Sequence, residues 1–265
     1  MAYCEVEPGV RLYYEDFGSG EPFLFVHGGA MSHEMWEQQV YELADNFRVV
    51  SVDLRGHGAS DKPSHGHTFE RLTKDVANLA TYLDLGLSNV VCHGIGGYIG
   101  MLLALDHPWL VSRLMLVSTG ARFVGDDERG GFSTELWENY LRGMAYNKIV
   151  ATAELVEKTF FHRDPGPIIR QAAIDIMLQW PLYAMKMLGR DMLNVDLEAR
   201  LEEIRIPTLV MHGRHDRKQR FSGAAHLCSK ISNARMIAFE ESAHNPHVEE
   251  IEKFNGALRE FVSAG

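Results

Sequence analysis

Residues 90–97 read VVCHGIGG, and this stretch decides how the rest of the chain is interpreted. An apolar, β-branched run from Asn89 to Cys92 stops at a cluster of small residues. An apolar pattern with helical spacing follows at once, from Tyr98 through Leu105. A buried strand, a sharp turn and a helix are therefore predicted in direct succession.

The turn in this stretch has the setting of a nucleophile elbow, in which one residue is lifted above the sheet beside the positive end of the next helix. The usual pattern is a small residue, any residue, Ser, any residue and Gly. Cys92 and Gly96 occupy the first and last of these positions, but Gly94 stands where the serine is expected. Since glycine has no side chain, the sequence predicts a hydrolase-type site that lacks its nucleophile.

Composition narrows the class of protein. The chain has 265 residues, of which 46% are hydrophobic and 23% charged, as is typical of a globular α/β enzyme with an insertion. Its net charge of −10 argues against nucleic acid or an anionic membrane as the main partner. No signal-peptide pattern and no membrane-spanning apolar run is found. Three scattered cysteines without CxxC spacing suit a reducing compartment, so a cytoplasmic protein is expected.

Short apolar runs alternate with helical patterns along most of the chain. This alternation predicts right-handed crossovers and a mainly parallel sheet with helices on both faces. Strands are predicted at 10–17, 22–26, 47–52, 89–92, 113–117, 207–211 and 235–239, and helices at 33–44, 68–83, 98–105 and 220–230, with a last helix ending near Val262. Ligands bind outside the carboxyl ends of such strands. The residues that contact a ligand are therefore expected in the loops 27–30, 53–61, 92–97, 213–216 and 240–245.

The alternation stops in the segment 120–203, where helical patterns rich in methionine and aromatic residues take over. We predict that this segment is an α-helical cap inserted into an α/β core made of 1–119 and 204–265. Most of its apolar side chains are expected to pack helix against helix, but a cap that faces the strand ends also lines a pocket. Trp137 and Trp180 are the predicted substrate-binding residues of the cap. The expected partner is therefore an apolar or aromatic small-molecule substrate.

Five motifs follow one another in the loops after the strands. They are HGGA at 27–30, DLRGHGAS at 53–60, VCHGIGG at 91–97, GRHD at 213–216 and SAHNPHVEE at 242–250. Each motif alone is weak, but in this order and spacing the chain resembles the α/β-hydrolase superfamily over nearly its whole length. It is most similar to the capped lactonases, esterases and C–C hydrolases. The resemblance implies the α/β-hydrolase fold and the triad order nucleophile, acid, histidine.

By its position in these motifs, Asp216 corresponds to the triad acid and His244 to the triad base. An acid after one strand and a histidine after the next can meet above the elbow, where the carboxylate orients the imidazole and stabilises its charged form. Two alternatives remain open. Asp216 can instead pair with Arg214 or Arg217, and His247 is a rival to His244, although the proline before it favours the first turn of the final helix.

The resemblance also places an oxyanion hole at the backbone N–H groups of Gly29 and Ile95, which need no particular side chain. Gly28, His33 and Trp36 lie in or just after the HGGA loop and are expected to contact substrate. Three other histidines are expected to support the loops by hydrogen bonding: His27, His57 and His93.

Three hypotheses account for a glycine at the elbow, where it relaxes the turn by roughly 1 kcal/mol. In the first, His244 activates a water that hydrolyses a small activated acyl compound: a carbamate, an enamine or imine, an enol-lactone or a vinylogous C–C bond. The aminoacrylate and carbamate hydrolases of pyrimidine breakdown are similar in this respect. In the second, the chain is an ordinary serine ester or C–C hydrolase whose nucleophile has been replaced by Gly94. In the third, Asp216 and His244 serve a lyase or a cofactor-independent oxygenase, or the protein binds a ligand without catalysis.

Neighbouring side chains are not expected to replace the serine. Cys92 is expected to pack beneath the elbow, and Ser118 and Ser242 follow other strands. The Asp and His residues lack metal-ligand spacing and no GxGxxG follows the first strand, so no metal and no cofactor are expected. The sequence leaves the oligomeric state open.

Overall fold

The structure is a computed structural model that describes residues 2–127, 129 and 131–264. In these residues the central feature is a sheet of eight strands, numbered in chain order, with the spatial order β1-β2-β4-β3-β5-β6-β7-β8. They are β1 (Ala2–Glu7), β2 (Val10–Phe17), β3 (Pro22–Val26), β4 (Arg48–Val52), β5 (Ser88–His93), β6 (Val111–Val117), β7 (Thr208–Gly213) and β8 (Ala234–Phe239). Strand β2 is antiparallel to β1 and β4, and all other neighbours are parallel. The prediction of a mainly parallel sheet is confirmed.

Helices cover both faces of the sheet, as predicted. They are α1 (Glu37–Leu43), α2 (Phe69–Tyr82), α3 (Ile95–Asp106), α4 (Thr134–Tyr146), α5 (Lys148–Thr159), α6 (Pro167–Leu178), α7 (Leu182–Met192), α8 (Phe221–Lys230), α9 (Pro246–Glu249) and α10 (Ile251–Ser263). Right-handed crossovers leave β3 and β4 in opposite directions, so α1 and α10 pack together on one face while α2 and α3 pack together on the other. Within the described ranges, no helix is long and apolar enough to cross a membrane.

Three elements differ from their prediction. The edge strand β1 was not predicted, because only two of its six residues are buried and the apolar pattern is correspondingly short. The helix predicted at 33–44 begins as a 3₁₀ turn, His33–Trp36, before α1. The final helix is split into α9 and α10 because Glu250 between them has φ −128° and ψ 56°, outside the helical region.

The segment between β6 and β7 contains four consecutive α-helices, α4 to α7. All four lie inside the range 120–203 that the sequence assigns to a cap. Glu128 and Gly130 of that range lie outside the described residues. The buried side chains of α4 to α7 include aromatic residues and methionines, among them Trp137, Tyr140 and Met177. The chain therefore leaves the sheet at one strand end and returns to the neighbouring strand after building a helical layer.

A buried ion-pair network joins β1, the loop after β4 and α2. The guanidinium of Arg55 is fully buried and donates to Asp75 through Nε at 2.6 Å and Nη2 at 3.0 Å. Its Nη1 donates to Glu7 at 2.6 Å. Asp75 is also fully buried and accepts a second set of bonds from Arg71. Because an uncompensated buried charge is costly, each member of this network depends on the others.

Replacing Asp75 with Ala is expected to lower the free energy of unfolding by about 3 kcal/mol, because Arg55 loses the carboxylate that receives two of its hydrogen bonds. Urea denaturation measures this change. Glu42→Ala is the matched control, since Glu42 pairs with Arg259 at the exposed surface and should contribute little. Equal and small losses in both variants would contradict the role assigned to the buried network.

Candidate active site

Gly94 lies at the sharp turn between β5 and α3, at the carboxyl edge of the parallel strands. Its φ of 53° and ψ of −116° belong to a region that side-chain-bearing residues rarely adopt. Its N–H donates to the carbonyl of Val117 at 2.9 Å, which fixes the turn to β6. Gly96 passes so close to β3 that a Cβ there would lie 2.7 Å from the carbonyl oxygens of Val26 and His27. The backbone thus has the geometry expected of an elbow.

Asp216 and His244 meet above this turn. They follow the neighbouring parallel strands β7 and β8, whose carboxyl ends share one edge of the sheet. His244 Nδ1 donates to Asp216 Oδ2 at 2.7 Å. A Cβ built on Gly94 would lie 3.6 Å from His244 Nε2. The second ring nitrogen therefore faces the place where a side chain at residue 94 would begin.

The carboxylate of Asp216 is buried and densely hydrogen-bonded. Its Oδ1 accepts from the N–H groups of Lys218 at 2.7 Å and Gln219 at 3.0 Å. Its Oδ2 also lies 3.3 Å from His212 Nε2. Burial by itself would raise the pKa of Asp216, but the interactions with His244 and His212 hold that pKa well below its ordinary value. The acid is therefore ionised throughout the physiological pH range.

His244 is neutral at physiological pH. Burial lowers the pKa of its imidazole to about 4; the charge of Asp216 opposes this shift, and Lys218 adds to it. With the proton of the neutral ring on Nδ1, the lone pair is on Nε2. This is the form that a general base requires.

Two backbone N–H groups border the same space. Ile95 is the first residue of α3, so its N–H has no acceptor within the helix. Gly29 lies opposite, since a Cβ on Gly29 would be 3.5 Å from Ile95 Cγ2. In the described part of the chain, neither N–H donates to a protein acceptor. Both residues line the cavity above the elbow.

A cavity lies above the elbow, between the sheet and the helices α4 to α7. The core contributes Gly29, Ala30, Gly94, Ile95, Lys218, Gln219 and His244, and the segment 120–203 contributes Phe123, Phe132, Trp137, Tyr140, Leu155, Met177, Trp180 and Met192. The structure thus brings both predicted cap tryptophans to the cavity. Trp137 packs against Phe123 with 4.9 Å between ring centroids, and Trp180 stacks on His57 at 4.8 Å.

Lys218 and Gln219 line the cavity, and neither was predicted as a site residue. Their backbone N–H groups hold Asp216, so the turn that fixes the acid also places both side chains at the cavity wall. The available signal was their position, two and three residues after the acid of the GRHD motif. Apart from Trp137 and Trp180, the sequence did not predict which aromatic and methionine side chains of the segment 120–203 reach the cavity.

Three residues expected to contact substrate do not line this cavity. Trp36 is fully buried in the core, where its ring meets His93 edge-on at 6.3 Å, because the 3₁₀ turn directs it inward. His33 Nδ1 bonds Asp53 at 2.9 Å and ties down the loop after β4. Gly28 packs against His93, since a Cβ on Gly28 would come within 2.5 Å of His93 Nδ1, and its Cα would lie 3.7 Å from a Cβ on Gly94.

The alternative pairings left open by the sequence do not occur. Arg214 pairs with Glu240 at 2.8 Å rather than with Asp216. His247 lies in α9, is buried, and packs against Trp36 at 4.8 Å between ring centroids. The other loop histidines bond backbone groups as expected: His27 Nε2 accepts from Leu54 N at 2.9 Å, His57 Nδ1 bonds the carbonyl of Arg55 at 3.0 Å, and His93 Nε2 bonds the carbonyl of His244 at 2.8 Å.

The side chains considered as substitute nucleophiles are committed elsewhere. Cys92 is fully buried, and burial raises the pKa of its thiol far above the ordinary value. The hydroxyl of Ser242 donates to Glu250 at 2.6 Å. Ser118 is fully buried and does not line the cavity. Among the residues that the structure describes, no cluster of three or more His, Cys, Asp or Glu is placed to hold a metal ion.

Known proteins are similar to this chain in sequence and in fold. Residues 21–251 match the family described as alpha/beta hydrolase fold. The AB hydrolase superfamily protein YisY of Bacillus subtilis is 32% identical over 277 residues, which cover 99% of each chain. An esterase from Exiguobacterium antarcticum superposes with a TM-score of 0.94 at 26% identity, covering 98% of both chains. The enol-lactonase from Burkholderia xenovorans gives a TM-score of 0.89 at 26% identity over 99% of this chain and 100% of that one.

The fold class predicted from the motifs is confirmed by these matches together with the sheet order. The chain belongs to the α/β-hydrolase family and is an enzyme of the hydrolase type that acts on a small molecule.

Proposed function

We propose that the enzyme hydrolyses a small activated acyl compound by direct attack of a water held between Gly94 and His244, without an acyl-enzyme. Suitable substrates are a carbamate, an enamine or imine, an enol-lactone or a vinylogous C–C bond. One observation carries this proposal. The Asp216–His244 pair is intact and aims Nε2 at a residue without a side chain. Apart from residues 93–95 themselves, the only other atom of the described residues within 4 Å of a Cβ built on Gly94 is Gly28 Cα.

The proposed step needs only groups of the site and a water. Nε2 of His244 takes a proton from the water as its oxygen attacks the acyl carbon, and Asp216 stabilises the resulting imidazolium. The oxyanion accepts from the N–H groups of Gly29 and Ile95. When the tetrahedral intermediate collapses, the leaving group departs with the proton from Nε2, so the histidine returns to its neutral form.

The chemistry of the substrate explains why a serine can be dispensed with. A covalent intermediate divides one difficult step into two easier ones, and an activated acyl group makes this division unnecessary. Even in serine enzymes, the oxyanion hole and binding alone retain roughly 10³- to 10⁴-fold acceleration over water. The aromatic and methionine side chains of the cap favour an apolar or aromatic group on the substrate.

A second candidate is an ordinary serine ester or C–C hydrolase whose nucleophile has been replaced by Gly94. The observation that favours it is the distance of 3.6 Å from a Cβ at residue 94 to His244 Nε2, because a serine hydroxyl on that carbon would reach the imidazole. Both candidates use the same acid, base and oxyanion donors. They differ only in whether residue 94 takes part in the chemistry.

His244→Ala is expected to lower kcat/KM by roughly 10³-fold on activated aryl carbamates and aryl esters, because it removes the general base. Release of the phenol, followed by absorbance, measures the rate. His65→Ala is the matched control, since His65 is exposed, bonds Glu7 and does not line the cavity. Turnover that survives His244→Ala would exclude any mechanism based on this histidine.

Gly94→Ser and Gly94→Ala together separate the two candidates. Both variants add a Cβ at a φ of 53°, and each should lose roughly 1–3 kcal/mol of stability through backbone strain. If water attacks directly, the unchanged enzyme turns over without a burst. The Gly94→Ser variant then shows no burst and no gain in rate, and the Gly94→Ala variant is slower because its methyl group crowds the water. Stopped-flow absorbance with the same substrates measures burst and steady-state rate. A burst confined to the serine variant, with glycine and alanine silent, would overturn direct water attack in favour of the second candidate.

The pH dependence should report the base. Because the pKa of His244 is lowered to about 4, the imidazole is neutral above this value and protonated below it. The expected kcat/KM is therefore constant through weakly acidic pH and falls tenfold per pH unit only below about pH 4. Initial rates in buffers of constant ionic strength test this expectation. A decline already centred near the ordinary histidine pKa of about 6.5 would contradict the environment described for His244.

A further inference from the structure

Lys218 brings one ammonium group to the wall of a cavity that is lined mostly by apolar side chains. The described residues that line the cavity include no carboxylate and no other lysine or arginine. Its histidine, His244, is neutral at physiological pH because burial lowers the pKa of the imidazole to about 4. Lys218 is therefore the positive charge that a ligand in this cavity meets.

The ammonium is held in place by its surroundings and not by an ion pair. The backbone N–H of Lys218 donates to Asp216 Oδ1 at 2.7 Å, which fixes the start of the side chain. Its Nζ lies over the ring of Phe160, 4.4 Å from the centroid. That ring is 6.1 Å from the ring of His244, and the ammonium is close enough to lower the pKa of His244. Among the described residues, Lys218 takes part in no ion pair within 4 Å.

Asp216 does not neutralise this charge as a partner would. Its two carboxylate oxygens already accept hydrogen bonds from His244 and from two backbone N–H groups. One of these oxygens also lies 3.3 Å from His212 Nε2. An ammonium without an ion-pair partner, in a cavity whose walls are mostly apolar side chains, favours a ligand group that accepts hydrogen bonds and carries negative charge.

We propose that Lys218 recognises a non-reacting carboxylate on the substrate, so that the enzyme acts on monoanionic compounds with an apolar or aromatic body. A carboxylate suits the site because a single ammonium balances a single negative charge, whereas a phosphate dianion would bring one charge without a partner into an apolar cavity. This inference rests on the proposed function for the reacting end of the substrate, but the recognition step itself requires no turnover.

Binding of 3-phenylpropionate and of its neutral amide tests the proposal without catalysis. Isothermal titration calorimetry at neutral pH should give about tenfold tighter binding of the carboxylate, a modest value for an ion pair in an apolar site. Lys218→Met should remove this preference while leaving the affinity for the amide unchanged, and Lys218→Arg should retain it. Lys186→Met, which removes the same charge from an exposed position on cap helix α7, should behave as the unchanged protein.

The pH dependence of the unchanged protein provides a second readout that needs no variant to fold. Burial lowers the pKa of Lys218 to about 8, and the charge of Asp216 opposes this shift. A lysine is charged below its pKa, so affinity for the carboxylate should fall as the pH rises through about 8, while affinity for the amide stays constant. Pairing with a ligand carboxylate raises the pKa of Lys218 in the complex, so the affinity begins to fall near pH 8 and continues to fall up to that higher pKa.

Equal affinity for acid and amide, a preference that survives Lys218→Met, or no binding of the acid at millimolar concentration would each overturn the proposal. These outcomes are independent of those at Gly94 and His244. A carboxylate preference in a protein without hydrolytic activity would keep Lys218 as the recognition residue and reject the proposed reaction. Turnover that depends on His244 but shows no preference for anionic substrates would support the proposed reaction and reject Lys218 as the recognition residue.

Discussion

The buried carboxylate of Asp216 is the interaction on which the site depends. One of its oxygens receives Nδ1 of His244 at 2.7 Å, which fixes the tautomer and leaves the lone pair on Nε2 facing residue 94. The other receives the backbone N–H groups of Lys218 and Gln219, which fixes the turn that brings both side chains to the cavity. Parallel pairing of β7 with β8 makes this possible, because their carboxyl ends deliver the acid and the base to the same edge. A single buried charge thus positions the base and part of the binding surface.

The elbow keeps its geometry without a side chain because its important contacts are made by the backbone. Gly94 is held by the hydrogen bond from its N–H to Val117, and the N–H of Ile95 is free because of its position at the start of a helix. The acid and the base come from other strands. Removal of a side chain at residue 94 therefore takes away the hydroxyl and leaves the other groups in place. It also relieves backbone strain, so stability and nucleophilic chemistry favour different residues at this position.

The fold and the acid–base pair could be predicted because both depend on signals that lie close together in the sequence. The alternation of apolar strands and helical patterns specifies a parallel sheet, and the order of five loop motifs points to Asp216 and His244. The burial of Trp36 in the core could not be predicted, because a four-residue 3₁₀ turn is too short for a periodic pattern to show which side of it faces the core. Lys218 was missed for a different reason. Its place in the cavity wall results from the turn that is fixed by the buried carboxylate of Asp216. Its ammonium lies over the ring of Phe160, which is in a distant part of the chain.

The position of Lys218 also links recognition to the strength of the base. Its positive charge lowers the pKa of His244, since a protonated imidazole close to an ammonium is disfavoured in a medium of low dielectric constant. On the proposed recognition, a substrate carboxylate that pairs with Lys218 cancels much of this effect, so the pKa of His244 rises only when a substrate is bound. The imidazolium formed as water attacks is then stabilised by Asp216 and is no longer opposed by an unpaired lysine. An anionic substrate would thus strengthen the base that hydrolyses it, whereas a neutral compound of the same shape would meet the weaker base of the free enzyme.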